Sequence, residues 1–371
     1  PQIFGRGAAD DKGPIAVLKH VLKGIHEQGL GPTSIGIKIL LDGEEESGSP
    51  HLGASIDAAA NDPERRARLV ADALVSLDGP LHQSGAPTIS YGVRGIMSVD
   101  LTVYGATHDL HSGHYGNWAP NPAMELAQLL ATLTDPVTGR ARVAGFYDCR
   151  RPLDAEARAA LDALPPIEDA LRDQLGIARD RPEAAGSLFE AISDPSLNVR
   201  GLHSGDVGAR ARTVIPHAAE AALDLRLVPD CHAPEMATLL RRHLEGLGYT
   251  VIDGPPTDAQ RREHPRLVTM GVRARGYPGV QTPLGLELSR ELQALTERAT
   301  GRAPVQIPTM GGSLPFHHFE SRLGMRVLAL PLVNHDNNQH GPDENVELGA
   351  LWRGFDLLAT IALTYGVTPG A

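Results

Sequence analysis

Five residues spread along the chain carry side chains that could act together on one chemistry, namely Asp10, Glu45, Glu46, Asp78 and His340. Each stands in a glycine-flanked loop or at the end of a strand-like run, where α/β sheets collect ligands. Carboxylate plus imidazole is a donor set for zinc or manganese. Two divalent cations sharing one bridging carboxylate need roughly this inventory, and an acid left off the metals could take a proton from a metal-bridging water. The adjacent Glu45 and Glu46 could divide those last two roles. Each residue alone also has a plainer reading. Glu44-Glu45-Glu46 reads as a solvated charge run, an aspartate at a strand end as a helix cap, and Asp10-Asp11 as an acidic loop before a helix.

The elements that must position these residues follow from periodicity. Asp10 lies in Phe4-Gly5-Arg6-Gly7-Ala8-Ala9-Asp10-Asp11-Lys12-Gly13, whose glycines allow a turn closed to other residues. Pro14 to Gln28 then reads as an amphipathic helix with Ile15, Leu18, Val21, Leu22 and Ile25 on one face. Ser34 to Leu41 alternates like a strand and leads into Glu45 and Glu46; a helical stretch around Pro63 to Ala71 separates it from the strand Leu74 to Leu77, which ends at Asp78. Acids after successive strands separated by helices are the alternation of an α/β sheet. From residue 92 to about 272 the pattern changes to an α+β module: strands Ser98 to Tyr104 and Ala219 to Val228, helices Pro122 to Leu133 and Pro234 to Leu247, and a charged, alanine- and proline-rich stretch, Arg150 to Glu183. The α/β pattern returns with a helix Leu286 to Thr300, a strand Arg326 to Leu330 and a terminal helix from about Asn345 to Leu363. The expected division is therefore a discontinuous α/β domain, 1–91 with 273–371, interrupted by an insertion at 92–272.

Composition bounds the function classes. The 371 residues are 42% hydrophobic and carry a net charge of −11, which fits a packed globular chain and argues against a nucleic-acid surface. No stretch reaches the roughly 18 to 20 apolar residues of a membrane span. Cys149 and Cys231 are far apart in sequence, which suggests neither a disulfide framework nor a thiolate metal site.

The motifs also match a family in order. Gly5-Arg6-Gly7 through Asp10-Asp11-Lys12-Gly13-Pro14, Glu45-Glu46-Ser47-Gly48-Ser49, Asp78, Asp109-Leu110-His111-Ser112-Gly113, Thr213-Val214-Ile215-Pro216, Arg226-Leu227-Val228-Pro229, Gly311-Gly312-Ser313-Leu314-Pro315 and the loop at His340 resemble the dinuclear metallopeptidases. That family includes carnosine dipeptidases, glutamate carboxypeptidase, aminoacylases, acetylornithine deacetylase and succinyl-diaminopimelate desuccinylase, and the carnosine-dipeptidase-like branch is the most similar. The resemblance implies a metal-binding catalytic domain with a central mixed sheet flanked by helices, and an inserted lid or dimerisation domain. It implies two divalent ions, zinc above manganese or cobalt, with Asp10 bridging, Glu46 and His340 on one ion, Asp78 on the other, and Glu45 as general base and acid. It further implies a cis Asp10-Asp11 peptide, His111 as oxyanion stabiliser reaching a neighbouring subunit, and Arg226, Thr213 and Ser313 as holders of a substrate carboxylate.

By residue type alone, His111 is one of sixteen histidines and reads equally as a surface residue, and Arg226 is either solvent-facing or a carboxylate clamp. The family's first metal histidine lies in a His-x-Asp motif upstream of the bridging aspartate, which this sequence does not contain, so the second metal site is expected to be incomplete here and the N-terminal part to be missing. The expected activity is hydrolysis of an amide bond in a small peptide by a cytoplasmic homodimer, with a signal peptide left open. An N-acyl amino acid deacylase and a catalytically silent small-molecule-binding homologue are the alternatives.

Overall fold

The computed structural model describes residues 1–178, 186–273 and 276–367, and the chain divides into two compact units. The first comprises Pro1–Val93, Pro152–Gly176 and Val280–Ala371. Its short apolar runs form a four-stranded sheet in the order Val305–Ile307, Thr88–Ser90, Arg326–Ala329, Ala73–Ser76. Both outer pairs are parallel, and the two halves join through an antiparallel bridge between Ser90 and Ala329, so the sheet is mixed. Successive side chains of a strand point to opposite faces. Val327 accordingly packs with Ile56, Phe316 and Phe319, whereas Leu328 packs with Ile89, Ala157 and Leu292. Burial on both faces is what a sheet between helical layers requires. The helices Gly13–Glu27 and Leu348–Thr364 pack on one another through Val17, Val21, Ile25, Leu357 and Leu358.

Three local expectations change. Ser34 to Leu41 forms no strand: Ser34 donates its N–H to Ala362 at 2.9 Å, but no ladder follows among the described residues, and Ile37, Ile39, Leu40 and Leu41 stay exposed. Alternation specifies a face; a strand also needs a neighbour to share its N–H and C=O groups. The terminal helix starts at Leu348 rather than Asn345, because Asn345–Glu347 pairs antiparallel with Gln2–Phe4. The stretch Pro152–Gly176, expected within the insertion, groups with the first unit, where Ala157 and Ala160 of the helix Ala155–Asp162 pack against Ile89, Tyr91 and Leu292.

The second unit comprises Arg94–Arg151 and Ile177–Gly279. Its five strands lie in the order Thr250–Ile252, Leu267–Val272, Gly95–Tyr104, Ala218–Leu227, Ser196–His203, the first pair parallel and the rest antiparallel. Burial alternates strictly along Gly95–Tyr104. Its inward residues Met97, Val99, Leu101 and Val103 meet Leu126 and Leu129 of the helix Pro122–Leu133 and Met236, Leu240 and Leu244 of Ala233–Gly246. Asn121 caps the first of these helices by accepting from Ala123 N–H at 3.1 Å, with Pro122 supplying a preset first turn. Cys149 and Cys231 form a disulfide within this unit, correcting the reading of two unrelated thiols. They are 82 residues apart in sequence and 5.0 Å apart at Cα, so separation along the chain was no guide to separation in the fold.

The sheet–helix core of the second unit makes a direct prediction. Leu101→Ala, at a fully buried side chain, should lower stability by about 2–5 kcal/mol, whereas Leu202→Ala, 61% exposed, should change it by less than about 0.5 kcal/mol. Denaturant unfolding of both variants checks this, and equal losses would contradict the assigned core.

Candidate active site

The turn that carries Asp10 is held from one side by a single acid. Glu344 is 3% exposed, and its two carboxylate oxygens accept hydrogen bonds from Gly7 N–H at 2.8 Å, Ala9 N–H at 3.0 Å, Asp10 N–H at 3.1 Å and the Arg6 guanidinium at 3.0 Å. Burial works against its charge, but these four donors outweigh it and hold the carboxyl down at about 2. Gly7 enters the turn at φ 78°, a conformation that a side chain would strain, and the Asp10–Asp11 peptide is cis, as the resemblance implied.

Three side chains from distant parts of the chain then meet. His340 lies 2.8 Å from Asp10 Oδ2 and 3.0 Å from Glu46 Oε2, both measured from its Nε2, and one donor atom from each residue falls within 4.8 Å of the others. His340 itself sits at φ 63°, a left-handed position that a histidine adopts at some cost. Glu45 and Glu46 occupy a short helical turn, Glu45–Ser47, closed by Gly48 at φ 78°. Asp42 fixes that turn, accepting from Glu44 N–H at 2.9 Å and from the Ser49 hydroxyl at 2.6 Å. Asp78 follows the strand Ala73–Ser76 and interacts with the charges of Asp10, Glu46 and His340.

The electrostatics show an acidic cluster short of positive charge. Burial first, then the charges of Asp78, Asp10, Glu46 and Asp42, push the Glu45 carboxyl up to about 7. Burial and the charges of Asp78, Asp10 and Glu45 push Asp11 up to about 8, and Asp11 Oδ1 is buried with no hydrogen-bond partner among the described residues. Burial and Asp10 also raise Asp78. A divalent cation supplies what such a set lacks, and the oxygen and nitrogen donors suit zinc or manganese, so Asp10, Glu46 and His340 fit a metal. A cavity of about 520 Å³ in the same unit is lined by Asp10, Glu45, Glu46 and Asp78, with apolar walls that include Leu74, Leu77 and Phe316.

Of the remaining candidates, Ser313 belongs to the first unit, directly before the cavity-lining Leu314 and Pro315. His111, Thr213 and Arg226 belong to the second. There His111 pairs with Val214 in a two-stranded ladder, beside Thr213, whose carbonyl accepts Ser112 N–H at 3.1 Å. Asp109 braces the same loops, accepting from Arg212 at 2.9 Å and from His217 N–H at 3.1 Å. Arg226 donates to Asp224 at 3.1 Å on the five-stranded sheet. Glu344, Arg6, Asp42 and Arg94 have no role that the sequence alone assigns. Arg94 is pushed down to about 10 by burial and by the neighbouring charge of Arg226. For Glu344, the available signal was an acid four residues after His340, but just before an apolar helical run it reads as ordinary N-terminal charge.

The chain belongs to peptidase family M20/M25/M40, whose model matches residues 2–364. It is 25% identical over 377 residues to the Cys-Gly metallodipeptidase DUG1 of Candida albicans, an alignment covering 98% of this chain and 72% of the relative. It is 28% identical over 249 residues to the human Beta-Ala-His dipeptidase, covering 66% of this chain and 47% of that protein. Among solved structures, an M20 family metallo-carboxypeptidase, Sso-CP2 from Sulfolobus solfataricus, superposes with a TM-score of 0.82 at 26% identity, covering 99% of this chain and 78% of that one.

The acidic cluster makes the metal-stripped protein pH-sensitive. Glu45 and Asp11 titrate near 4.5 and 3.8 when unfolded but near 7 and 8 when folded, so over that span the folded state binds more protons. Stability conferred by those protons is present at low pH and is lost as pH rises through the folded values. In chelator, the thermal midpoint should therefore fall between about pH 5 and about pH 8, and saturating zinc should oppose the fall. A midpoint that rises over this interval without metal would contradict the cluster's electrostatics.

Proposed function

We propose that this metallopeptidase hydrolyses the amide bond of small peptides, dipeptides foremost, at the site built by Asp10, Glu45, Glu46, Asp78 and His340. The observation that carries the reading is the meeting of His340 Nε2 with the Asp10 and Glu46 carboxylates, beside a Glu45 whose carboxyl lies near neutrality. A divalent cation, when bound there, polarises the scissile carbonyl and acidifies water. Asp10 and Glu46 would supply oxygen donors and His340 a nitrogen donor, and Asp78 would serve a second ion; two ions, zinc foremost, are part of this reading.

Glu45 takes the proton from the attacking water as its oxygen bonds to the carbonyl carbon. Glu45 then returns that proton to the departing nitrogen as the C–N bond breaks, leaving a carboxylic acid and an amine, and the acid's remaining proton passes to the amine to give carboxylate and ammonium. His111 donates a hydrogen bond to the developing oxyanion. Arg226, Thr213 and Ser313 hold the substrate's terminal carboxylate, Arg226 by the paired N–H geometry that suits a carboxylate. These four roles rest on the match of their surrounding motifs to the family. The activities that name the relatives, on Cys-Gly and Beta-Ala-His, support a dipeptide over an N-acyl amino acid.

A homodimer whose His111 serves the neighbouring site, with the unit Arg94–Arg151 and Ile177–Gly279 as its lid and dimerisation domain, also belongs to this reading. So does a cytoplasmic location. The Cys149–Cys231 disulfide is the feature that speaks instead for an oxidising compartment.

Glu45→Gln should lower kcat on a dipeptide by about 10²–10⁴-fold while leaving metal content unchanged. Unchanged turnover would remove Glu45 from the reaction, and faster cleavage of an N-acyl amino acid than of the matching dipeptide would favour a deacylase. Mixing Glu45→Gln with His111→Ala subunits should restore part of the activity that each lacks; no recovery would mean that each subunit carries its own histidine.

A further inference from the structure

We infer that Glu344 and Arg6 form a positioning pair that sets the spacing of Asp10, Glu46 and His340 and thereby the site's affinity for a divalent cation. The inference rests on the metallopeptidase reading and adds two residues to it. Glu344 belongs to the loop that carries His340, four positions downstream, and its own carbonyl accepts Gly5 N–H at 2.9 Å. Its side chain reaches back to the Asp10 turn with each oxygen used twice: Oε2 takes Gly7 N–H and Arg6, and Oε1 takes Ala9 N–H and Asp10 N–H. A carboxylate has about four acceptor positions, and all four are filled.

Arg6 extends the connection. While one guanidinium nitrogen bonds Glu344, the other bonds Glu46 Oε1 at 2.7 Å, leaving Glu46 Oε2 toward His340. The backbone N–H of Asp10, the carboxylate of Glu46 and the loop of His340 are thus all tied to one buried anion. Glutamine in its place would turn one acceptor oxygen into an NH₂ facing two N–H donors, breaking two of the four bonds at either orientation.

Cobalt(II), whose visible absorption reports ligand geometry, is the probe. Wild-type protein should bind it with a d–d spectrum, and Glu344→Gln should weaken binding by about 10–100-fold and alter that spectrum in the folded fraction. Arg6→Met, at a side chain 57% exposed, should fold normally and show a smaller change of the same kind. If Glu344→Gln fails to fold, Arg6→Met decides. A lower thermal midpoint with unaltered cobalt affinity and spectrum in the folded variants would make the pair merely structural and overturn the inference. Failure of the wild-type protein to bind cobalt would instead strike the metallopeptidase reading beneath it.

Discussion

The grip of the Glu344 carboxylate on the backbone N–H groups of Gly7, Ala9 and Asp10 is the contact on which the site's geometry depends. Without it the turn before the first helix would bury donors with no acceptor, at a cost of about 1–3 kcal/mol for each. With it, a loop from the last part of the chain and a turn from its beginning are fixed to one another, and the short antiparallel ladder between Gln2–Phe4 and Asn345–Glu347 closes beside them. The residues that hold the site are therefore as far apart in sequence as the residues that make it.

The second constraint is charge. Asp10, Asp11, Glu45, Glu46 and Asp78 all line one cavity, where burial first and the neighbouring carboxylates second push Asp11, Glu45 and Asp78 upward. A cluster of this kind destabilises the fold unless it is protonated or metallated. The cluster lies beside His340, in a member of a peptidase family.

Periodicity made the sheets and long helices legible. Pro122 to Leu133 coincides with the helix found, Gly95–Tyr104 begins a few residues before the expected Ser98, and Ala218–Leu227 is the expected run Ala219 to Val228 shifted by a single residue. The metal candidates were legible because acids and a histidine stood in glycine-bounded loops in a recognisable order. What escaped depended on partners rather than pattern. Ser34 to Leu41 alternates but finds no ladder, Asn345–Glu347 becomes a strand only because Gln2–Phe4 lies beside it, and Cys149 meets Cys231 through the folding of the second unit. Glu344 was hidden for the same reason: its role is defined by four donors, three of them backbone groups that no side-chain motif displays.

The central claim, that Asp10, Glu46 and His340 hold a catalytic divalent cation, is tested most directly by anomalous diffraction from crystals grown with zinc and measured at the zinc edge. The expected result is an anomalous peak about 2.0–2.2 Å from a carboxylate oxygen of Asp10, one of Glu46 and Nε2 of His340. A fully ordered site with no peak among these three residues, or a peak held by other side chains, would contradict it.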